Sequence, residues 1–211
     1  MKRISLALVG AILFALAARA QLSIECQGGV NLANLSNPGN LVAGAVWQTR
    51  IGFAAMASMN ISLTDKMLIS PGLRFVQKGT ESKWWSNVTG SVQATVTNSY
   101  IEVPVYLKYE LVDFGSKLFV LGGPAFAFLA TSKTEGTVQF NGSNSLDTKE
   151  DYKSYDFSFD IGLAFQAPVS ETLSIVATGA YSFGLVKIDQ RGSDEQTRDV
   201  GVTLGALYRF K

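Results

Sequence analysis

The chain of 211 residues carries 18 Lys and Arg against 17 Asp and Glu, and 47% of it is hydrophobic. Charges this balanced offer no basic surface to nucleic acid. With no histidine the usual catalytic base and the commonest metal ligand are missing, and a single cysteine makes no internal disulfide.

Met1 to Ala20 has the form of a secretory signal peptide. Lys2 and Arg3 supply the positive start, Ile4 to Ala18 an apolar run too short for a stop-transfer helix, and Ala18-Arg19-Ala20 a small-x-small cleavage site. The expected division is therefore residues 1–20 as signal and residues 21–211 as one folded domain starting at Gln21. Lys2, Arg3 and Arg19 leave with the signal, so the mature chain has 15 basic against 17 acidic residues, a net of −2. Cys26 raises the question of lipidation, but Glu25 stands before it where a small residue is expected. After residue 20 no stretch is long and apolar enough for a spanning helix.

The mature chain opens with a predicted strand over Gln21 to Leu35, whose glycines 28 and 29 allow close backbone approach. A loop over 34–48 holds NLSNPGN. Thr49 to Ser62 alternates, with Ile51, Phe53, Ala55, Ala57, Met59 and Ile61 on one face and Gly52, Ala54, Met56, Ser58 and Asn60 on the other. After a short turn at 63–65, the return strand Lys66 to Lys78 places Met67, Ile69, Leu73 and Phe75 opposite Ser70, Gly72, Arg74 and Lys78. Residues 79–97 are expected to be a long polar loop carrying Trp84 and Trp85.

Asn98 to Glu110 alternates again, with Glu102, Pro104, Tyr106 and Lys108 on the polar side; its proline requires a bulge or a distorted pairing. A turn at 111–116 leads to Lys117 to Thr131, which is apolar on both faces, so its facing stays open. Residues 132–151 are expected to be a loop, partly a protruding hairpin. Tyr155 to Gln166 is the clearest strand. Tyr155, Phe157, Phe159, Ile161, Leu163 and Phe165 share one face, while Asp156, Ser158, Asp160, Gly162, Ala164 and Gln166 share the other. Thr172 to Lys187 and Thr197 to Phe210 complete the set, separated by a turn at 167–171 and a loop at 188–196.

Eight strands result, and their connections alternate long and short. This predicts an all-β fold: an eight-stranded antiparallel transmembrane up-and-down β-barrel following the signal peptide, in the outer membrane, with both termini periplasmic. A soluble eight-stranded barrel would place its apolar residues inside. Two features favour the inside-out form. The polar faces carry Arg74, Lys78, Glu102, Lys108, Asp156, Asp160 and Arg209, and the apolar faces end in aromatics (Phe75 and Tyr155 at one end; Tyr109, Phe165, Tyr208 and Phe210 at the other).

The segments GGVNLANLSN, ISPGLRFVQKG, SYIEVPVYLKY, LGGPAFAFL, AYSFGLVKI and LGALYRF run in order along the mature chain. Together they resemble the PorT family of outer-membrane β-barrels, labelled "porin family protein" in Bacteroidetes-type Gram-negative bacteria. The most specific match is SYIEVPVYLKY, through Tyr100, Glu102, Pro104, Lys108 and Tyr109. The family's usual inward Glu after the proline of the third strand is Gly72 here, and its frequent inward Arg in the seventh is Ala180. The resemblance implies a barrel whose best-known relative takes part in protein secretion, and the family's porin label does not itself imply a pore.

No catalytic constellation emerges. Asp156 and Asp160 form a carboxylate pair by spacing, but a lumen network of Arg74, Glu102, Lys108, Asp156, Asp160 and Arg209 is the simpler expectation, since a barrel this size fills with side chains. Leu121-Gly122-Gly123 lacks the lysine and helix start of a phosphate loop. Trp84 and Trp85 suit either a stacking surface in the loop or an anchor in the headgroup region. The functional expectation is a non-enzymatic scaffold, adhesion or secretion- and assembly-associated component acting through its long loops; the alternative is a narrow channel for small solutes, with a lipid-modifying enzyme third. No cofactor or metal is expected. The expected partners are outer-membrane lipid and an envelope protein, and the sequence is compatible with a monomer.

Overall fold

The computed structural model describes residues 22–36, 46–86, 90–138, 142–188 and 195–210. The predicted signal peptide and Gln21 lie outside the described residues. The chain forms ten strands: β1 (Leu22–Ser36), β2 (Val46–Gln48), β3 (Arg50–Ser62), β4 (Met67–Ser86), β5 (Gly90–Asp113), β6 (Lys117–Val138), β7 (Gly142–Asp147), β8 (Tyr155–Pro168), β9 (Leu173–Gly184) and β10 (Gln196–Arg209). All but β2 and β7 form a closed antiparallel ring of eight, with β1 pairing both β3 and β10. The seam is long. Ser23 faces Arg209 at one end and Ser36 faces Gln196 at the other. Glycines permit its tightness: a Cβ on Gly205 would lie 1.9 Å from the Cys26 carbonyl oxygen, and one on Gly29 2.0 Å from that of Val202. Three short turns, at 63–66, 114–116 and 169–172, share the end where the Phe210 N–H bonds the Leu22 carbonyl at 3.1 Å.

The alternation places side chains as the period requires. On β8, Asp156, Ser158, Asp160, Ala164 and Gln166 are buried, while Tyr155, Phe159, Ile161, Leu163 and Phe165 are exposed. The same holds for Glu102, Pro104, Tyr106 and Lys108 against Ile101, Val103, Val105, Leu107 and Tyr109 on β5. The open question on β6 is settled by burial: Phe119, Leu121, Ala125, Ala127 and Leu129 face inward, and Phe126 and Phe128 outward. That strand looked two-faced because it contributes an apolar patch to the lumen, where Phe119 and Leu121 pack with Tyr106 and Ala164.

Three expectations about loops are corrected, the first at 34–48, where residues 34–36 continue β1 and 46–48 form β2. Residues 79–97 are not a loop: β4 and β5 stay paired up to Ser86 opposite Gly90. Much of 132–151 is strand as well, because β6 continues to Val138 and β7 adds to its edge. With β2 against β4, this makes a five-stranded sheet, β2-β4-β5-β6-β7, standing beyond the ring at the long-loop end. The signal was present but short: Val92, Ala94 and Val96 alternate with Ser91, Gln93, Thr95 and Thr97, and on β4 the same face carries Thr80, Ser82 and Trp84. The serine- and threonine-rich composition reads as loop even though Val and Thr favour strands.

Pro104 sits in distorted pairing, not at a bulge. The β4–β5 register is the same on both sides of it, yet Gly72 and Leu73 have no ladder partners opposite Pro104 and Val103. Pro71 interrupts the β3–β4 ladder in the same way. A proline nitrogen has no proton to donate, so each costs the wall a rung without shifting its register.

Candidate lumen network

Facing strands drive charged side chains into the interior at two levels. The upper level gathers around Glu102, Asp156 and Asp160, each fully buried. The Lys78 ammonium lies 2.9 Å from Glu102 Oε1, 3.3 Å from Asp156 Oδ2 and 3.4 Å from Asp199 Oδ2. It also sits 5.5 Å from the centre of the buried Tyr100 ring. The Arg74 guanidinium pairs with Glu102 and approaches Asp160 Oδ2 at 2.9 Å. Tyr106 links the two: its hydroxyl accepts from Arg74 Nη1 at 2.8 Å and donates to Asp160 Oδ2 at 2.6 Å. Thr197 Oγ1 donates to Asp156 Oδ2 at 2.8 Å. Two cations thus serve four carboxylates, and Asp156 Oδ1 and Asp199 Oδ1 have no hydrogen-bond partner.

The lower level, toward the short-turn end, is built on Glu25. Lys108 Nζ donates to its two oxygens at 3.1 and 2.9 Å, and Asn60 Nδ2 donates to Oε2 at 2.9 Å. Gln27 Nε2 donates to Glu25 Oε1 and, at 3.1 Å, to Thr178 Oγ1. Ser70 bonds Asn60, and Thr203 bonds Gln27. Both carboxylate oxygens of Glu25 are therefore engaged, and here one cation meets one carboxylate. Between the levels lies a cavity of about 40 Å³, bordered by Met56, Arg74, Tyr106, Leu121, Asp160 and Asp199. That is space for a few waters at most.

A charged interior inside an apolar exterior is the reverse of a soluble barrel, and it suits lipid outside. The sequence comparison agrees: residues 15–190 match the family described as outer membrane protein beta-barrel domain. The chain belongs to that family. The solved structure of a major outer membrane protein from Thermus thermophilus is similar to this one at a TM-score of 0.56 and 11% identity, covering 91% of this chain and 100% of the other. Neisserial surface protein A (0.47; 12%; 89% and 97%) and the outer membrane protease OmpT from Escherichia coli (0.45; 10%; 90% and 97%) are more distant in shape. No curated protein matches the chain.

The structure of this outer-membrane barrel sorts the candidate residues. Arg74, Glu102, Asp156 and Asp160 come together in one cluster. Lys108 does not join them; it lies at the lower level with Glu25. Arg209 is apart from both, half-exposed at the short-turn end. Sequence reasoning missed Glu25, Asp199 and the central part of Lys78. The signal for Glu25 and Asp199 was present, since each alternates with small polar residues on its strand (Ser23 and Gln27; Thr197). Cys26, beside Glu25, is exposed on the outer face, paired between Ala57 and Ala206 in mid-strand. Trp84 and Trp85 are strand residues opposite Val92 and Ser91, not loop residues. Trp85 is exposed and stands ten residues past Phe75, about 30 Å along the strand. That is well beyond the headgroup layer bordering the Phe75 level, so the anchor reading does not fit it.

Proposed function

We propose that this protein is a non-enzymatic outer-membrane component, of the PorT-like type, that holds a partner in the cell envelope through the sheet and loops at its long-loop end. In this reading the signal peptide is removed, both termini are periplasmic, and the five-stranded sheet projects outside the cell. The observation that carries it is the contrast between a filled lumen and a built exterior. Two ion-pair levels and the Tyr106, Phe119 and Leu121 patch occupy the barrel, while regular sheet continues far past it with Trp85 uncovered near its tip. The ordered segments shared with the PorT family support the finer affiliation.

Planar-bilayer recording with purified protein tests the point that separates this from the channel reading. The expected trace shows no stable single-channel steps; steps abolished by Ser58→Trp, which would fill the lumen, would replace scaffold with channel. A photo-crosslinking residue at position 85 is expected to give adducts with envelope protein in intact cells, and one at position 64 in a short turn is expected to give fewer. Equal labelling from both ends would remove the basis for assigning the sheet the binding role.

A further inference from the structure

Outside the barrel wall, where β4, β5 and β6 leave the ring, lies a polar groove of about 290 Å³ whose lining includes Arg50, Thr95, Thr97, Thr131, Lys133 and Glu135. Its position follows from the register. Phe75, Ile101 and Phe128 sit side by side on adjacent strands as the top of the apolar exterior. The next outward positions along β5 are Ser99, Thr97 and Thr95, opposite Thr131, Lys133 and Glu135. At about 3.3 Å per residue and the usual strand tilt, the groove covers roughly 5 to 15 Å above that aromatic edge. Its lower edge meets the lipid headgroup layer, about 5 to 8 Å deep, and the rest stands just above it, at the height of a glycolipid's sugars.

The groove's chemistry is specific. Arg50 is half-buried and lines the groove: its Nη1 is tucked against Gly52 without a hydrogen-bond partner, and Glu135 is close enough to interact with its charge but forms no ion pair with it. Lys133 is exposed and forms no ion pair among the described residues. Guanidinium and ammonium donors with no carboxylate bonded to them are the arrangement that takes a phosphate. The threonine hydroxyls and Glu135 add acceptors, which a bare phosphate cannot use but a sugar's hydroxyl groups can. Directly below, Phe53 and Phe75 lie with ring centres 6.5 Å apart, an apolar platform suited to acyl chains. We propose that this groove binds the phosphorylated sugar headgroup of an outer-leaflet glycolipid whose acyl chains lie on the aromatic edge beneath it.

The test is native mass spectrometry of the full-length protein, delivered from phosphatidylcholine vesicles with and without diphosphorylated lipid A as the probe. Wild type is expected to retain bound lipid A, Lys133→Gln to retain it about tenfold less, and Arg50→Gln/Lys133→Gln about a hundredfold less, the effect of losing one and two charge-assisted contacts. Lys66→Gln, at the short-turn end, is expected to match wild type. Each variant is first checked for the folded band on unheated gels. If Arg50→Gln does not fold, Lys133→Gln alone carries the measurement, because that side chain is exposed. Equal retention by wild type and the groove variant would overturn the proposal, as would equal loss in Lys66→Gln. Displacement of lipid A by inorganic phosphate would show a site for the free anion and overturn the lipid assignment. None of these outcomes depends on whether the barrel conducts or holds a protein partner.

Discussion

The ring and the sheet above it are made largely of the same strands, yet they follow different rules. Within the ring, β4 and β5 turn Arg74, Lys78, Glu102 and Lys108 inward and Leu73, Phe75, Ile101 and Val103 outward, and the two faces share almost no chemistry. Beyond it the contrast softens: one side carries Gln93, Thr95 and Thr97, the other mixes Val92, Ala94 and Val96 with Thr80 and Ser82, and the contacts include Gln93 Nε2 to Glu81 Oε1 at 2.8 Å and Thr80 Oγ1 to the Gln48 carbonyl at 3.1 Å. The backbone ladder does not change between them. Amphipathic alternation is therefore a record of what lies on either side of a strand, lipid or lumen, and not of the strand itself.

Buried charge in the ring is expected to matter most. Lys78→Met leaves Glu102, Asp156 and Asp199 without their shared cation, and a loss of about 3–5 kcal/mol is expected in urea unfolding from detergent micelles. Glu102→Leu is expected to cost less, because it removes one of four carboxylates facing two cations and leaves Arg74 with Asp160. If Glu102→Leu proved the more damaging, the excess of negative charge assigned to this cluster would be wrong.

The exterior of the ring comes next. Leu163→Arg puts a charge toward lipid and is expected to cost about 2–4 kcal/mol. The natural lumen-side control would be its neighbour, but Gly162→Ser is unsuitable: a Cβ there would lie 2.3 Å from the Gly179 carbonyl oxygen. Ser182→Ala serves instead, since the buried Ser182 hydroxyl has no partner to lose, and its unfolding midpoint is expected to stay at the wild-type value. Comparable losses in the two variants would mean that the faces are misassigned. Smallest of all, Trp85→Ala at the tip of the sheet is expected to shift stability by no more than about 0.5 kcal/mol. A larger shift would show that the sheet and ring unfold as one body, against the independence the comparison assumes.

What the sequence made legible was facing. Period two assigns each residue of β3, β5, β8 and β10 to a side, and aromatic residues mark where the apolar band ends. What it concealed was height. Which inward residue of one strand meets which of another depends on the stagger around the ring, and no local pattern carries that. Glu25 meets Lys108, 83 residues away, and Lys78 meets Asp156, 78 residues away; both pairings needed the closed register. The sheet beyond the ring stayed hidden for a different reason: its apolar face is only Val92, Ala94 and Val96, set in a serine- and threonine-rich stretch. The apolar lumen patch of β6 concealed that strand's facing by erasing the contrast between its sides.

The seam between β1 and β10 carries a consequence in time. Its partners are separated by nearly the whole chain, from Ser23 with Arg209 to Ser36 with Gln196, so none of its rungs can form locally. Until it closes, two strand edges with unsatisfied backbone groups stand open, and in hydrocarbon those groups cost several kcal/mol each. Partial rings are thus penalised in the membrane, and closing the longest loop is the slowest kind of contact to make. Gly29 and Gly205 tighten the last joint, where a single added methyl would collide with backbone. Insertion and closure then become one concerted event that waits for the final strand, and the sequence near Tyr208 acts as a clock for assembly as much as a part of the wall.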